Sequence, residues 1–174
     1  MRRNQTVVQW CVRLMLLAGV IVLSASSIAA QEVPDNPVTW TLTTKEKLAA
    51  LKPGSAFNAQ LTAKIEGGWH LYSLDQPDGG PKPTRVVVPT EQVFELADSI
   101  ESPQPIKKHD ENFGMETEFF ESAVTFTLPV RVAANAPAGQ HKLKVEVRFQ
   151  TCSEQFCLPP KTVKLELAVE VASK

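Results

Sequence analysis

The chain has 174 residues, 43% of them hydrophobic and 21% charged, enough to bury one sizeable core and too few for two large domains. Its formal net charge is −1. With no Lys/Arg run it lacks an electrostatic footprint for nucleic acid or anionic lipid, and those partners are set aside.

Residues 1–30 have the layout of a secretory signal: Arg2 and Arg3 at the start, an apolar stretch from Leu14 to Leu23, then small residues through Ala30. The uninterrupted apolar run is shorter than the roughly 20 residues a spanning helix needs, and Arg13 breaks the stretch that begins at Val7. A cleaved signal is therefore favoured over the alternative, an uncleaved N-terminal anchor that would tether the protein. Cleavage after Ala29 or Ala30 leaves residues 31–174 as one domain. It also removes three arginines and no acid, leaving 15 basic against 19 acidic residues, a net charge of −4. Cys11 leaves with the signal, so the exported protein holds only Cys152 and Cys157. In an oxidising compartment such a pair is expected to be bonded for at least part of the time.

After the signal, period-two alternation dominates. A short strand is predicted over Val38 to Thr43, then a helical turn over Lys45 to Leu51, closed by Pro53 and Gly54. Phe57, Ala59, Leu61, Ala63 and Ile65 read as a strand, followed by shorter runs at Trp69 to Ser73 and Arg85 to Val88. The turn-rich piece Gln76 to Pro83 separates those two runs. Ser99 to Glu116 reads as one long connection containing Pro103, Pro105, the cluster Lys107-Lys108-His109-Asp110-Glu111 and then Asn112-Phe113-Gly114. Loops of this length in compact domains are often functional, and a solvated crossing loop is the plainer alternative. Three well-alternating strands close the chain: Val124 to Val132, Leu143 to Phe149 and Val163 to Val171. Trp40 and Phe126 read as core. Seven or more short strands with little helix predict an all-β fold, a two-sheet, immunoglobulin-like antiparallel β-sandwich.

The cysteines lie in RFQTCSEQFCLPPKTVKL, at the tip of the last hairpin. Continuing the alternation outward puts Cys152 in phase with Lys144, Glu146, Arg148 and Gln150, the polar face, so it is expected to be reachable. Closing a loop of about six residues would contribute only about 2 kcal/mol through chain entropy. Spacing leaves three readings open: a structural bridge, thiol chemistry, or a metal site using the two thiolates with His109 or His141. The metal signal is weak, because four residues separate the cysteines and no second paired motif is present. A thioredoxin-like site is excluded by the spacing and by the lack of a helix starting there.

The same segment resembles the cysteine-bearing stretch of the N-terminal periplasmic domain of DsbD, the thiol:disulfide interchange protein family. GWHLYS, from Gly68 to Ser73, with the Pro/Gly-rich piece and TRVVVP after it, is similar to an earlier part of that domain, and HDENFG, from His109 to Gly114, is similar to its cap loop. The resemblance runs from about Val38 to Val171, in the family's order. It implies an immunoglobulin-like fold with the cysteines at one end of the sandwich, under a loop that covers them. It also implies a redox pair: Cys157 attacking, Cys152 resolving, with Asp110 and Glu111 of the cap raising the thiol pKa and Phe113 as its shielding aromatic. The family's cap reads acid, acid, aromatic, aromatic, glycine; here Asn112 stands in the third place. Trp69 and Tyr72 are expected to be packing aromatics whose motif helps form the surface near the pair, and spacing gives His70 no role.

By this resemblance the chain is an exported, periplasmic thiol-disulfide interchange carrier, a protein-disulfide reductase acting with protein partners and without a cofactor. Electrons would come in trans from a membrane-embedded DsbD/CcdA-like reductase module or a thioredoxin-like donor. They would pass to periplasmic thioredoxin-fold or cytochrome-maturation thiol proteins, from a monomeric carrier. The alternative from another class is a non-catalytic immunoglobulin-like binding module with a structural hairpin disulfide. A third is a metal chaperone.

Overall fold

Eleven strands make up the computed structural model, which describes residues 35–45 and 50–173; no helix occurs among them. In chain order they are β1 (Val38–Thr44), β2 (Ala56–Ile65), β3 (Trp69–Tyr72), β4 (Arg85–Val87), β5 (Phe94–Leu96), β6 (Ile106–Asp110), β7 (Met115–Phe120), β8 (Ala123–Val132), β9 (Gly139–Phe149), β10 (Thr151–Ser153) and β11 (Lys161–Val171). The secretory-signal region lies outside the described residues, as does most of the proposed helical turn. No described helix is long and apolar enough to cross a membrane.

The strands form three sheets, ordered β1-β2-β8-β5, β11-β9-β4 and β10-β3-β7-β6. Every ladder between named strands is antiparallel. The first two sheets are the faces of an immunoglobulin-like sandwich. Alternation decides which side chains go inward: Leu143, Val145, Val147 and Phe149 of β9 are buried, while Lys142, Lys144 and Arg148 stay outside. Across the interior Trp40 of β1 packs on Phe149 of β9 at 5.3 Å between ring centroids, and on Phe126 of β8 at 6.4 Å. Removing a Val, Leu or Phe side chain from water stabilises by about 1.5–3 kcal/mol. A core holding Leu61, Phe126, Leu128, Val130, Leu143, Val145 and Val147 with essentially no exposure therefore accounts for the sandwich without a cross-link.

The third sheet is covered on both faces where β3, β10 and the end of β7 lie. Leu71 of β3 and Phe120 of β7 point into the main core, whereas their neighbours Tyr72 and Phe119 join Cys152 in a second, separate cluster. Strand pairing sets this up, since Leu71 lies opposite Phe120 and Tyr72 opposite Phe119. The sheet thus partitions the sandwich interior from the cysteines.

The connection predicted over Ser99 to Glu116 is not one long loop. Its second half folds as the hairpin β6–β7, with Ile106 opposite Phe119 and Asp110 opposite Met115. Alternation missed β6 because it is an edge strand exposed on both sides until Asp110, so Ile-Lys-Lys-His carries no buried face to pattern. The three-residue strand β5 escaped for lack of length.

Candidate functional site

The last hairpin, β9–β11, is in register from Lys161 opposite Phe149 to Val171 opposite Gly139. Beyond its tip the chain changes sheet. Gln150 belongs to no strand, and from Thr151 the backbone runs as β10 against β3, with Cys152 directly opposite His70 and Ser153 opposite Trp69. A tight turn follows: Ser153 N–H donates to the Phe156 carbonyl at 2.9 Å, and Leu158 N–H to the Thr151 carbonyl at 2.9 Å. Ser153 Oγ accepts from the N–H groups of Gln155 and Phe156. Cys157 comes back opposite Cys152, and the two are joined by a disulfide.

This change of sheet corrects the expectation that Cys152 is reachable. Its exposure is 0%, while Cys157 is partly exposed. Alternation would hold only if β9 ran straight on. Because the strand is interrupted at Gln150 and β10 is itself covered on both faces, Thr151 and Cys152 are both buried. Cys157 is therefore the less buried residue of the pair.

Over the pair lies the turn that joins β6 to β7. Gly114 N–H and Phe113 N–H both donate to the Asp110 carbonyl, at 2.7 and 3.2 Å, and Asn112 N–H donates to Asp110 Oδ1 at 2.9 Å. Gly114 has φ +64°, a left-handed conformation that a side chain would disfavour. The turn carries Phe113 onto the cluster of Tyr72, Phe119 and Cys152, with Phe113 and Tyr72 edge-to-face at 5.9 Å. From the other side of the turn Asn112 Nδ2 donates to the Ser153 carbonyl at 3.0 Å, tying it to the cysteine strand.

Asp110 is 5% exposed, and its carboxylate is fully engaged. Oδ2 accepts from the Tyr72 hydroxyl at 2.6 Å and from Thr117 Oγ1 at 3.3 Å; Oδ1 takes the Asn112 N–H. Burial pushes this carboxyl up, but the hydrogen bonds from Tyr72, Asn112 and Thr117 and the nearby His70 outweigh it, leaving the group below its ordinary value and ionised. Tyr72, fully buried, has its phenol pushed strongly up by that burial and by the bond to Asp110, so it stays protonated. His70 Nε2 lies 3.2 Å from the Tyr72 hydroxyl and 3.7 Å from Asp110 Oδ2. Desolvation lowers its pKa, with Asp110 opposing less strongly.

Of the residues singled out in the sequence, Cys152, Cys157, Tyr72, Phe113, Asp110 and Asn112 thus come together. Trp69 is adjacent, edge-to-face with Phe156 at 5.5 Å and packed against the main core. Glu111 is exposed, and no contact joins it to the cysteines among the described residues. Of the histidines weighed as metal ligands, His109 is exposed on β6, and His141 lies on β9, its Nε2–H donating to the Pro137 carbonyl at 2.8 Å and its ring packed by Phe94. Among the described residues no group of three or more His, Cys, Asp or Glu is placed to hold a metal ion. Sequence reasoning missed His70, Thr117 and Phe119. The usable signal was the two-residue spacing of His70 and Tyr72, which puts both on one face of β3.

Comparison with known proteins finds a family and several relatives. The family described as thiol:disulfide interchange protein DsbD, N-terminal, matches residues 40–168, a span that contains the pair, the turn and β3. Thiol:disulfide interchange protein DsbD of Yersinia pestis (strain Pestoides F) is 25% identical over 170 residues, covering 93% of this chain and 25% of that protein. The DsbD of Actinobacillus pleuropneumoniae serotype 5b (strain L20) is 30% identical over 115 residues, covering 66% of this chain and 16% of that protein. The chain thus spans a quarter or less of these relatives' length. Among solved structures, the reduced DsbD N-terminal domain of Neisseria meningitidis aligns with a TM-score of 0.46 at 18% identity, covering 71% of this chain and 82% of that one.

Proposed function

Since the chain belongs to the DsbD N-terminal domain family, we propose that it is a thiol-disulfide interchange domain that relays electrons from a membrane reductase to thiol proteins through Cys152 and Cys157. The observation that carries this reading is where the bond sits. It spans five positions at a hairpin tip, outside the sandwich core, with Cys152 buried and Cys157 half-buried beneath a hydrogen-bonded turn. A bridge placed to hold the sandwich together would join its two faces.

Reduced, the domain would use the Cys157 thiolate to attack a partner disulfide, forming a mixed disulfide and releasing one partner sulfur as thiolate. Cys152 would then attack Cys157 Sγ, closing the internal bond and releasing the second partner sulfur. Two electrons pass to the partner, and the reverse sequence with a reducing donor recharges the pair. Phe113 is proposed to shield the sulfurs until a partner displaces the turn. Asp110, held ionised one residue layer away through Tyr72, and Glu111 on the rim add negative charge that disfavours thiolates.

The compartment is proposed to be the periplasm, reached with a cleaved signal at residues 1–30. The donor is proposed to be a DsbD/CcdA-like membrane module or a thioredoxin-like protein in trans, and the acceptors thioredoxin-fold or cytochrome-maturation thiol proteins.

The deciding experiment equilibrates the purified domain in thiol redox buffers and counts free thiols by alkylation and mass. A potential in the range of exchange proteins, with a mixed disulfide trapped by Cys152→Ser, supports the carrier. A bond that stays closed until the domain unfolds overturns it in favour of a binding module with an inert staple.

A further inference from the structure

His70 stands opposite Cys152 in the β3–β10 ladder. Directly opposed residues of an antiparallel pair share a face, with Cβ atoms about 4.5–5.5 Å apart. Its ring packs on Phe119 at 4.7 Å and on Tyr72 at 5.1 Å, both members of the Cys152 cluster. The side chain is 13% exposed, so it is neither a solvent-facing histidine nor a sealed one.

The hydrogen-bond chain fixes which nitrogen carries the proton. The Tyr72 hydroxyl has one hydrogen, and it goes to Asp110 Oδ2 at 2.6 Å. The contact at 3.2 Å from His70 Nε2 must then have Nε2–H as donor and the phenol oxygen as acceptor. Nδ1 remains as a lone-pair acceptor with no hydrogen-bond partner among the described residues, on an imidazole backed, through Tyr72, by a buried carboxylate. An ion so placed stabilises the imidazolium that forms when Nδ1 gains a proton.

We propose that His70 is the general base for Cys152: Nδ1 takes the Cys152 S–H proton as that sulfur attacks Cys157 in the resolving step, and Tyr72 and Asp110 are the positioning residues that hold the ring in the required tautomer. The inference rests on the interchange reading above. In the step, the Cys152 S–H bond breaks to Nδ1, the Cys152–Cys157 bond forms, and the bond from Cys157 to the partner sulfur breaks. The imidazolium returns its proton to that departing thiolate, so protons and electrons balance without a further reagent. A buried thiol needs such help, because Cys152, at 0% exposure, does not face bulk solvent. The remaining charges felt by the ring are Lys108 on β6, Glu121 after β7 and Glu154 in the cysteine turn, besides Asp110. Burial holds the ring neutral, and therefore competent as a base, through and somewhat below the ordinary range of histidine.

The test uses the reduced exported chain, freed of its signal and so of Cys11, and glutathione disulfide as the probe. Acid-quenched samples are alkylated and weighed, separating formation of the Cys157–glutathione adduct from its resolution, between pH 5 and 9. For the native chain, resolution should stay fast at neutral pH and fall as the medium becomes acidic enough to protonate His70. In His70→Gln, whose amide can still donate to Tyr72 but cannot take a proton, resolution should slow roughly a hundredfold at pH 7. Its remaining rate should climb only as the Cys152 thiol itself ionises, while adduct formation changes little. Unchanged pH dependence of resolution in His70→Gln overturns the proposal. A native chain that forms no adduct at all overturns the interchange reading first, and this inference with it. Nitrogen-15 spectra of the native imidazole give a readout free of folding defects: an Nε2–H tautomer is expected, and a dominant Nδ1–H tautomer would sink the assignment.

Discussion

Asn112 in the covering turn donates its side-chain amide to the backbone carbonyl of Ser153, one residue past the buried cysteine, at 3.0 Å. The turn and the cysteine strand are thereby linked by a directional bond that can be removed without touching either sulfur. An exposed neutral hydrogen bond contributes about 0.5–1.5 kcal/mol. Asn112→Ala should therefore open the turn several-fold more often while leaving the unfolding midpoint nearly unchanged. The rate at which dithiothreitol reduces the Cys152–Cys157 bond, compared between variant and native chain, reads this directly; equal rates would show that the bond does not restrain the turn.

Tyr72→Phe keeps the ring against Phe113 and Cys152 but takes the hydroxyl from Asp110 Oδ2. A buried carboxylate that loses a donor costs about 1–3 kcal/mol or more, since Thr117 and the Asn112 N–H remain as its partners. Urea denaturation should show a loss in that range. No change in midpoint would mean that water replaces the phenol.

Acid should weaken the fold in two stages, and the sign follows from two depressed pKa values. His70 and Asp110 both titrate lower in the folded chain than their ordinary 6.5 and 3.8. The unfolded chain therefore binds protons first as pH falls, and each group's stabilisation is complete above its ordinary value and lost on the way down to its folded one. Each contributes a slope of at most about 1.4 kcal/mol per pH unit. Urea midpoints from pH 8 to pH 3 should decline first below about 6.5 and again below about 4. His70→Gln should flatten the first decline, and a first decline of native steepness in that variant would assign it elsewhere.

Reduction should leave the domain folded. The loop closed by the disulfide is short, and its chain-entropy contribution is about 2 kcal/mol, comparable to burying a single one of the many aliphatic side chains in the sandwich. Thermal denaturation with and without a phosphine reductant should differ by a few degrees. Unfolding on reduction at room temperature would contradict the separation of the pair from the core.

The sandwich was legible in the sequence because β2, β8, β9 and β11 bury one face each, which writes a period of two into Leu143 to Phe149 and its counterparts. The third sheet was harder to see. Its strands are short, β6 has no buried face before Asp110, and Leu71 with Tyr72 are buried on opposite sides, which erases alternation. The pair stood out as the two cysteines left beyond the signal; family resemblance added Tyr72 and, of the turn, Asp110, Asn112 and Phe113, which the fold brings beside it, while Glu111 lies exposed. The exposure of Cys152 was misjudged because extrapolating a phase assumes a continuous strand, and Gln150 interrupts it. His70 was missed because a hydrogen-bond chain through a phenol to a residue forty positions away leaves no local pattern.

Leu71 and Tyr72 are adjacent in sequence yet belong to different clusters, one on each side of the third sheet. Substitutions on the Tyr72 side are thereby insulated from those on the Leu71 side, as long as the backbone ladder between β3, β7 and β10 persists. The cysteine-bearing face is in effect an editable panel: residues around the sulfurs can be exchanged without repacking the interior.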